Sequence, residues 1–110
     1  MSDLARIEAT DIQEARLVRV IGEIDLSNVR EMMEAVIDAV PNDVALVVVD
    51  LSDTTYLDSA GISMLFRLAE RLGYSRQALR LVVPPDSPIR AVLELTRLTS
   101  VIPVVDSLPA

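Results

Sequence analysis

Cysteine, histidine, tryptophan and lysine are all absent from the 110 residues of this chain. Without Cys or His it lacks the soft and imidazole ligands on which most zinc and transition-metal sites rely. Disulfides are excluded. The imidazole that usually serves as base to a nucleophilic serine is missing too. One Phe and two Tyr are the whole aromatic complement, so the core must be aliphatic. Ten scattered arginines face seventeen carboxylates, a formal charge of −7. That balance argues against general nucleic-acid binding, which needs clustered cations. No Gly-rich phosphate loop with a Lys is present, which argues against direct nucleotide binding. No apolar stretch reaches the roughly 18 residues of a membrane span, and Met1 to Ala9 hold no signal-type apolar run. The expectation is a soluble cytoplasmic protein without cofactor, metal, membrane or nucleic-acid partner. What is present is a 51% apolar composition, enough for a single domain over residues 1–110 with a real core.

Residues 44–72 organise the chain. Ala45 to Val49 form an unbroken apolar run, the pattern of a parallel strand buried on both faces. Asp50 to Leu57 read as a polar loop. Asp58, Ser59, Ala60 and Gly61 then lead into a helix whose Ile62, Leu65, Phe66 and Ala69 share one face. Ser59 is expected at the helix cap, beyond the carboxyl end of a strand, where partners of open α/β sheets gather. Met64 and Leu68 fall off the main apolar face, beside Arg67 and Arg71. This mixed face either packs on a neighbouring element or meets a partner. The helix should end near Leu72-Gly73, with Gly73 as a left-handed cap.

Leu4 to Ala9 and Ala15 to Ile21 read as a hairpin that turns at Asp11 to Glu14. Gly22 permits a bend or a close backbone approach. Ser27 or Asn28 can cap the next helix, and Asn28 with Glu31 has capping-box spacing. Val29, Met32, Met33, Val36, Ile37 and Val40 share its apolar face, and Pro41-Asn42-Asp43 stops it. Asp25 either orders that helix entry or lines a binding site near Ser59. Leu79 to Val83 form a further strand. Ser87-Pro88 should start a third helix, and Ile102 to Val105 a short edge strand. The order β-β-α-β-α-β-α-β, with right-handed crossovers, places the helices mainly on one face of a mixed sheet in an α/β fold. A flavodoxin-like arrangement is the alternative, with helices on both faces.

This order resembles the STAS domains, and more closely the bacterial anti-sigma factor antagonists. The resemblance rests on Gly22-Glu23-Ile24-Asp25, Val48-Val49-Asp50-Leu51, and Tyr56-Leu57-Asp58-Ser59-Ala60-Gly61, and it covers nearly the whole chain. It implies that Ser59 is phosphorylated by the cognate anti-sigma factor, a serine kinase of the histidine-kinase-like ATPase class. The unphosphorylated form would capture that kinase and free a sigma factor, and a PP2C-type phosphatase would reset it. Asp25 matches the family's strand-end acidic position and Asp58 the acidic residue before the phosphoacceptor. The implied partner surface comprises Asp25, Ser27, Asn28, Asp58, Ser59, Ala60, Gly61, Met64, Arg67 and Leu68, on a monomer or weak homodimer. Two departures stand out. Arg97 occupies a turn position that is usually glycine, and the family commonly adds a helix after the last strand.

Two competing classes are weighed against this reading. A serine hydrolase would need Gly-x-Ser-x-Gly and a base, but position 57 is Leu and there is no His. A stressosome-type STAS scaffold would assemble into large particles, which light scattering would reveal. From residues alone, Ser59 could be no more than a helix cap.

Overall fold

The computed structural model describes residues 4–108. The apolar run after Val44 becomes the middle of a six-stranded sheet. Strand β3 (Leu46–Asp50) lies between β2 (Ala15–Ile24) and β5 (Ala78–Val82), parallel to both. At one edge β1 (Ala5–Ile12) pairs antiparallel with β2. At the other, the two-residue β6 (Val104–Val105) runs parallel to β5. Successive strand residues point to opposite faces, so Val47 and Val49 enter one cluster and Val48 another.

The larger cluster lies under α1 (Val29–Asp38), α2 (Ser59–Tyr74) and α3 (Arg90–Leu95), which contribute Met32, Val36, Leu65, Leu72 and Leu93. Among the described residues the smaller one, Leu17, Val48 and Val82, is joined only by Ile12, Ala15, Leu46 and Val105. No helix residue reaches it. This is the expected one-sided mixed sheet, and the flavodoxin-like alternative is excluded. Among the described residues no helix is long and apolar enough to cross a membrane.

Several local expectations need correction. The stretch 50–57 is not all loop. It contains a further strand, β4 (Thr54–Leu57), parallel to the last residues of β2, with Ile24 opposite Leu57. Thr54 is buried and donates its hydroxyl to the Val20 carbonyl at 2.7 Å. Thr-Thr-Tyr is β-prone, but four residues are too few to show a period. Strand β1 runs on to Ile12, so the hairpin turn is only Gln13-Glu14, with Gln13 at φ 51. Helix α3 begins at Arg90 rather than at Pro88, although Ser87 Oγ still accepts the Ile89 amide at 3.3 Å. Arg97, two residues past the end of α3, takes φ 59, which explains why glycine suits that turn.

The end of α2 is also unlike its expectation. Gly73 remains helical and Arg76 is left-handed, at φ 59. The Gln77 amide donates to the Leu72 carbonyl at 2.8 Å and the Arg76 amide to the Gly73 carbonyl at 3.0 Å. These two bonds make a Schellman motif with Arg where glycine normally stands. At the end of α1 the last turn carries no basic residue. Instead Arg16, from β2, donates Nε–H to the Ala39 carbonyl at 2.8 Å, supplying a cation at the negative end of the helix.

Gly22 fulfils its expected role. It has φ 108, and a Cβ there would stand 2.1 Å from the Leu4 carbonyl oxygen. The pairing of β2 and β4 shifts register between Gly22 and Glu23. Gly22→Ala should cost about 3 kcal/mol, combining backbone strain with a clash against main chain. Arg76→Gly should stabilise by about 0.5–1 kcal/mol, because relief of left-handed strain exceeds the added freedom of the unfolded chain. Urea unfolding of both variants checks these opposite signs.

Candidate functional site

Strands β2 and β4 end side by side, so the residues that follow them, Asp25 and Asp58, start neighbouring loops. The Asp58 amide donates to the Ile24 carbonyl at 3.4 Å. Asp58 has an extended backbone, φ −94 and ψ −171, and is the N-cap of α2. Its Oδ1 accepts the Gly61 amide at 3.0 Å, and its Oδ2 accepts the Leu26 amide at 3.0 Å. One carboxylate therefore caps the helix and pins the β2–α1 loop to it.

This corrects the expectation that Ser59 is the cap. Ser59 is the first helical residue, it is exposed, and its hydroxyl makes no hydrogen bond to any described residue. Asp makes as good a cap as Ser, and here the residue one position earlier has the extended backbone that capping requires.

The β2–α1 loop is built from its own side chains. Asp25 Oδ1 accepts both the amide (2.8 Å) and the hydroxyl (2.5 Å) of Ser27. The Ser27 hydroxyl, and then the Ser27 amide, hold the Asp25 carboxyl below its ordinary value. A lowered folded-state value means that Asp25 supports the loop at all pH values above its unfolded value. That support is lost as pH falls through the lowered value. The Asp25 carbonyl accepts the Asn28 and Val29 amides at 3.2 and 2.9 Å.

Asn28 is only 1% exposed. Its Oδ1 accepts the Asp25 amide at 2.9 Å and its Nδ2 donates to the Glu23 carbonyl at 2.9 Å. It makes no side-chain cap bond to α1, so the capping-box expectation fails. As an internal strut Asn28 shapes the surface but cannot be touched by a partner.

Gly61 is buried because the first turn of α2 sits directly on the strand ends. A Cβ would lie 2.9 Å from Leu57 Cδ2 and 3.3 Å from the Ile24 carbonyl oxygen. Ala60 is half-buried and Arg67 exposed, as a surface role requires. Met64 and Leu68, expected as exposed apolar anchors, are 3% and 0% exposed. The apolar half of this mixed face packs inward while Arg67 and Arg71 stay exposed, and Met64 lies between α2 and α1 beside Val29 and Met33. A charged residue at position 64 would break the core rather than probe a surface. Leu26 falls within the expected Asp25–Asn28 surface without being singled out there, and it is 78% exposed although its amide is held by Asp58. A single large apolar residue between Asp25 and Ser27 was the available signal. Among the described residues no group of Asp and Glu could hold a metal ion.

The family model for the STAS domain matches residues 6–110. The chain belongs to the STAS domain family, whose members are regulatory modules rather than enzymes. Among solved structures it is similar to an anti-sigma factor antagonist from Mycobacterium paratuberculosis, with 26% identity and a TM-score of 0.83 over 94% of this chain and 87% of that one. A STAS-domain anti-sigma factor antagonist from Rhodobacter sphaeroides gives 20% identity and a TM-score of 0.61, over 73% of this chain and 87% of that one. The phosphorylated form of the Bacillus cell fate determinant SpoIIAA gives 17% identity and a TM-score of 0.61, over 91% of each chain. The last two likenesses speak to the fold. A comparison with curated proteins finds no match.

Asp58→Ala should destabilise by about 2 kcal/mol, the sum of a lost cap and an unsatisfied loop amide. Asp58→Ser should cost about half as much, because a serine can cap Gly61 yet has no second oxygen to reach the Leu26 amide. Chemical denaturation of the two variants tests that ranking.

Proposed function

We propose that this domain is an anti-sigma factor antagonist switched by phosphorylation of Ser59. The carrying observation is the free, exposed Ser59 hydroxyl on a helix start fixed by Asp58. Family membership and the antagonists among its structural relatives support the reading. One of those relatives is itself known in a phosphorylated form.

In this reading the unphosphorylated surface, formed by Asp25, Ser27, Asp58, Ser59, Ala60 and Arg67, captures an anti-sigma factor serine kinase and so frees a sigma factor. Gly61, buried beneath that surface, supports it from below by donating its amide to Asp58. A PP2C-type phosphatase restores the bound-competent form. A phosphate at Ser59 adds about −1.5 to −2 charges and strong acceptor oxygens. The first turn of α2 tolerates it, because helix N-termini favour anions. The effect falls on docking instead. The dianion stands next to Asp58, on a surface that already carries Asp25, and must shed water when the partner closes over it. A loss of about 3 kcal/mol weakens binding more than a hundredfold.

Ser59→Ala should keep partner affinity, resist phosphorylation and, since Asp58 is the cap, leave stability within about 0.5 kcal/mol of the parent. Ser59→Asp should bind with intermediate affinity, because one carboxylate carries less charge than phosphate. The test uses purified candidate anti-sigma kinases of the source organism. Mass spectrometry follows Ser59 after incubation with Mg-ATP, and calorimetry compares the parent, S59A, S59D and phosphorylated forms. Equal affinity for all four, in folded samples, would return Ser59 to a plain surface residue.

A further inference from the structure

A groove of about 610 Å³ starts at Leu26 and runs between α1 and α2, with Val29, Met33 and Met64 in its apolar lining. Its charged residues are Arg30, Glu34 and Arg67. The chain as a whole carries −7, yet this groove holds two cations to one anion. Neither Arg30 nor Arg67 forms an ion pair or side-chain hydrogen bond with any described residue. Arg30 and Glu34 are four apart on α1, a spacing suited to pairing, and still do not pair. Leu26 stands exposed on a loop held by Asp58 through its amide and by the Asp25 and Asn28 bonds around it. A large apolar side chain displayed on a fixed backbone loses little freedom on docking, which is how interface anchors work.

We infer that this groove is the specificity element of the partner surface, and that it receives an apolar segment edged with carboxylates on the anti-sigma factor kinase. The inference rests on the antagonist reading above and extends it from the Ser59 loop onto α1. Leu26 would enter an apolar recess of the partner, while Arg30 and Arg67 pair with its acidic residues. The groove is continuous with the Ser59 site through Ala60, which lines it. Glu34 opposes the same carboxylates, so its removal improves binding. A merely structural role for these residues predicts no such gain.

The experiment is calorimetry against a purified serine kinase of the source organism that phosphorylates Ser59, with circular dichroism on every variant. Leu26→Ser should lower affinity about tenfold, and the double variant R30E/R67E about a hundredfold, with a weaker salt dependence than the parent. Glu34→Gln should raise affinity about threefold, through loss of like-charge repulsion. Leu95→Ser, a change of an exposed leucine on α3, should leave affinity unchanged. Unchanged affinity in L26S and R30E/R67E, with Ser59 phosphorylation still abolishing binding, would overturn the groove and leave the antagonist reading intact. A lowered affinity in E34Q would contradict its charge logic. No binding by the parent protein to any such kinase would remove both proposals together.

Discussion

The carboxylate of Asp58 is the contact on which the site depends. It accepts one amide from its own helix and one from a loop 32 residues earlier in the chain. Either bond alone would be an ordinary cap or an ordinary loop contact. Together they tie the end of β2 to the start of α2, with Ser59 and Leu26 displayed beside the tie. The bridge exists because Ile24 and Leu57 are paired in the sheet, which sets their successors next to each other. The short strand β4 therefore does more than extend the sheet. It fixes the register that lets one side chain serve two loops. Burial of Asn28 completes the arrangement from beneath, so the loop has polar support on both sides.

The same economy appears in the turns. With three glycines in the chain, left-handed positions fall to Gln13, Arg76 and Arg97. Each long side chain there accepts backbone strain that glycine would avoid. Glycine is kept where no Cβ fits: Gly22 against the Leu4 carbonyl and Gly61 against the strand ends. Gly73, which meets neither condition, has nothing within 4 Å of its absent Cβ. On the open face of the sheet Arg19 lies among Glu8, Asp50 and Asp53. Asp50 is itself held by the amide and hydroxyl of Ser52, so this buried acid is paired and hydrogen-bonded, as burial of a charge requires.

Much of this was legible from residue pattern. The period of Val29 to Val40 and the run 45–49 fix a helix and a doubly buried strand, and the order of elements gives the one-sided sheet. The motif around Ser59 points to the site. What the pattern could not carry is the partnering of polar side chains. A Ser after an Asp at a helix start leaves the cap ambiguous, and only backbone angles decide for Asp58. Asn28 beside Glu31 has capping-box spacing, yet its Oδ1, the atom a cap needs, accepts the Asp25 amide instead. Met64 and Leu68 look peripheral on a helical wheel drawn against one sheet. Met64 is buried because α1 supplies a second wall, which a wheel for α2 alone does not contain, and Leu68 joins Gly61, Leu65 and Leu72 in one buried stripe. Strand β4 was missed because four residues give no period to read.

In the proposed switch, phosphate at Ser59 alters what docks on this surface rather than how it folds. Amide hydrogen exchange measured by NMR tests this most directly, on the unphosphorylated and stoichiometrically phosphorylated protein without partner. The Leu26 and Gly61 amides, both bonded to Asp58, should keep their protection in the two forms within about threefold, since their openings are governed by the same local stability. Loss of protection at Leu26 on phosphorylation, with the β2–α1 loop exchanging freely, would contradict it and make the switch a conformational one.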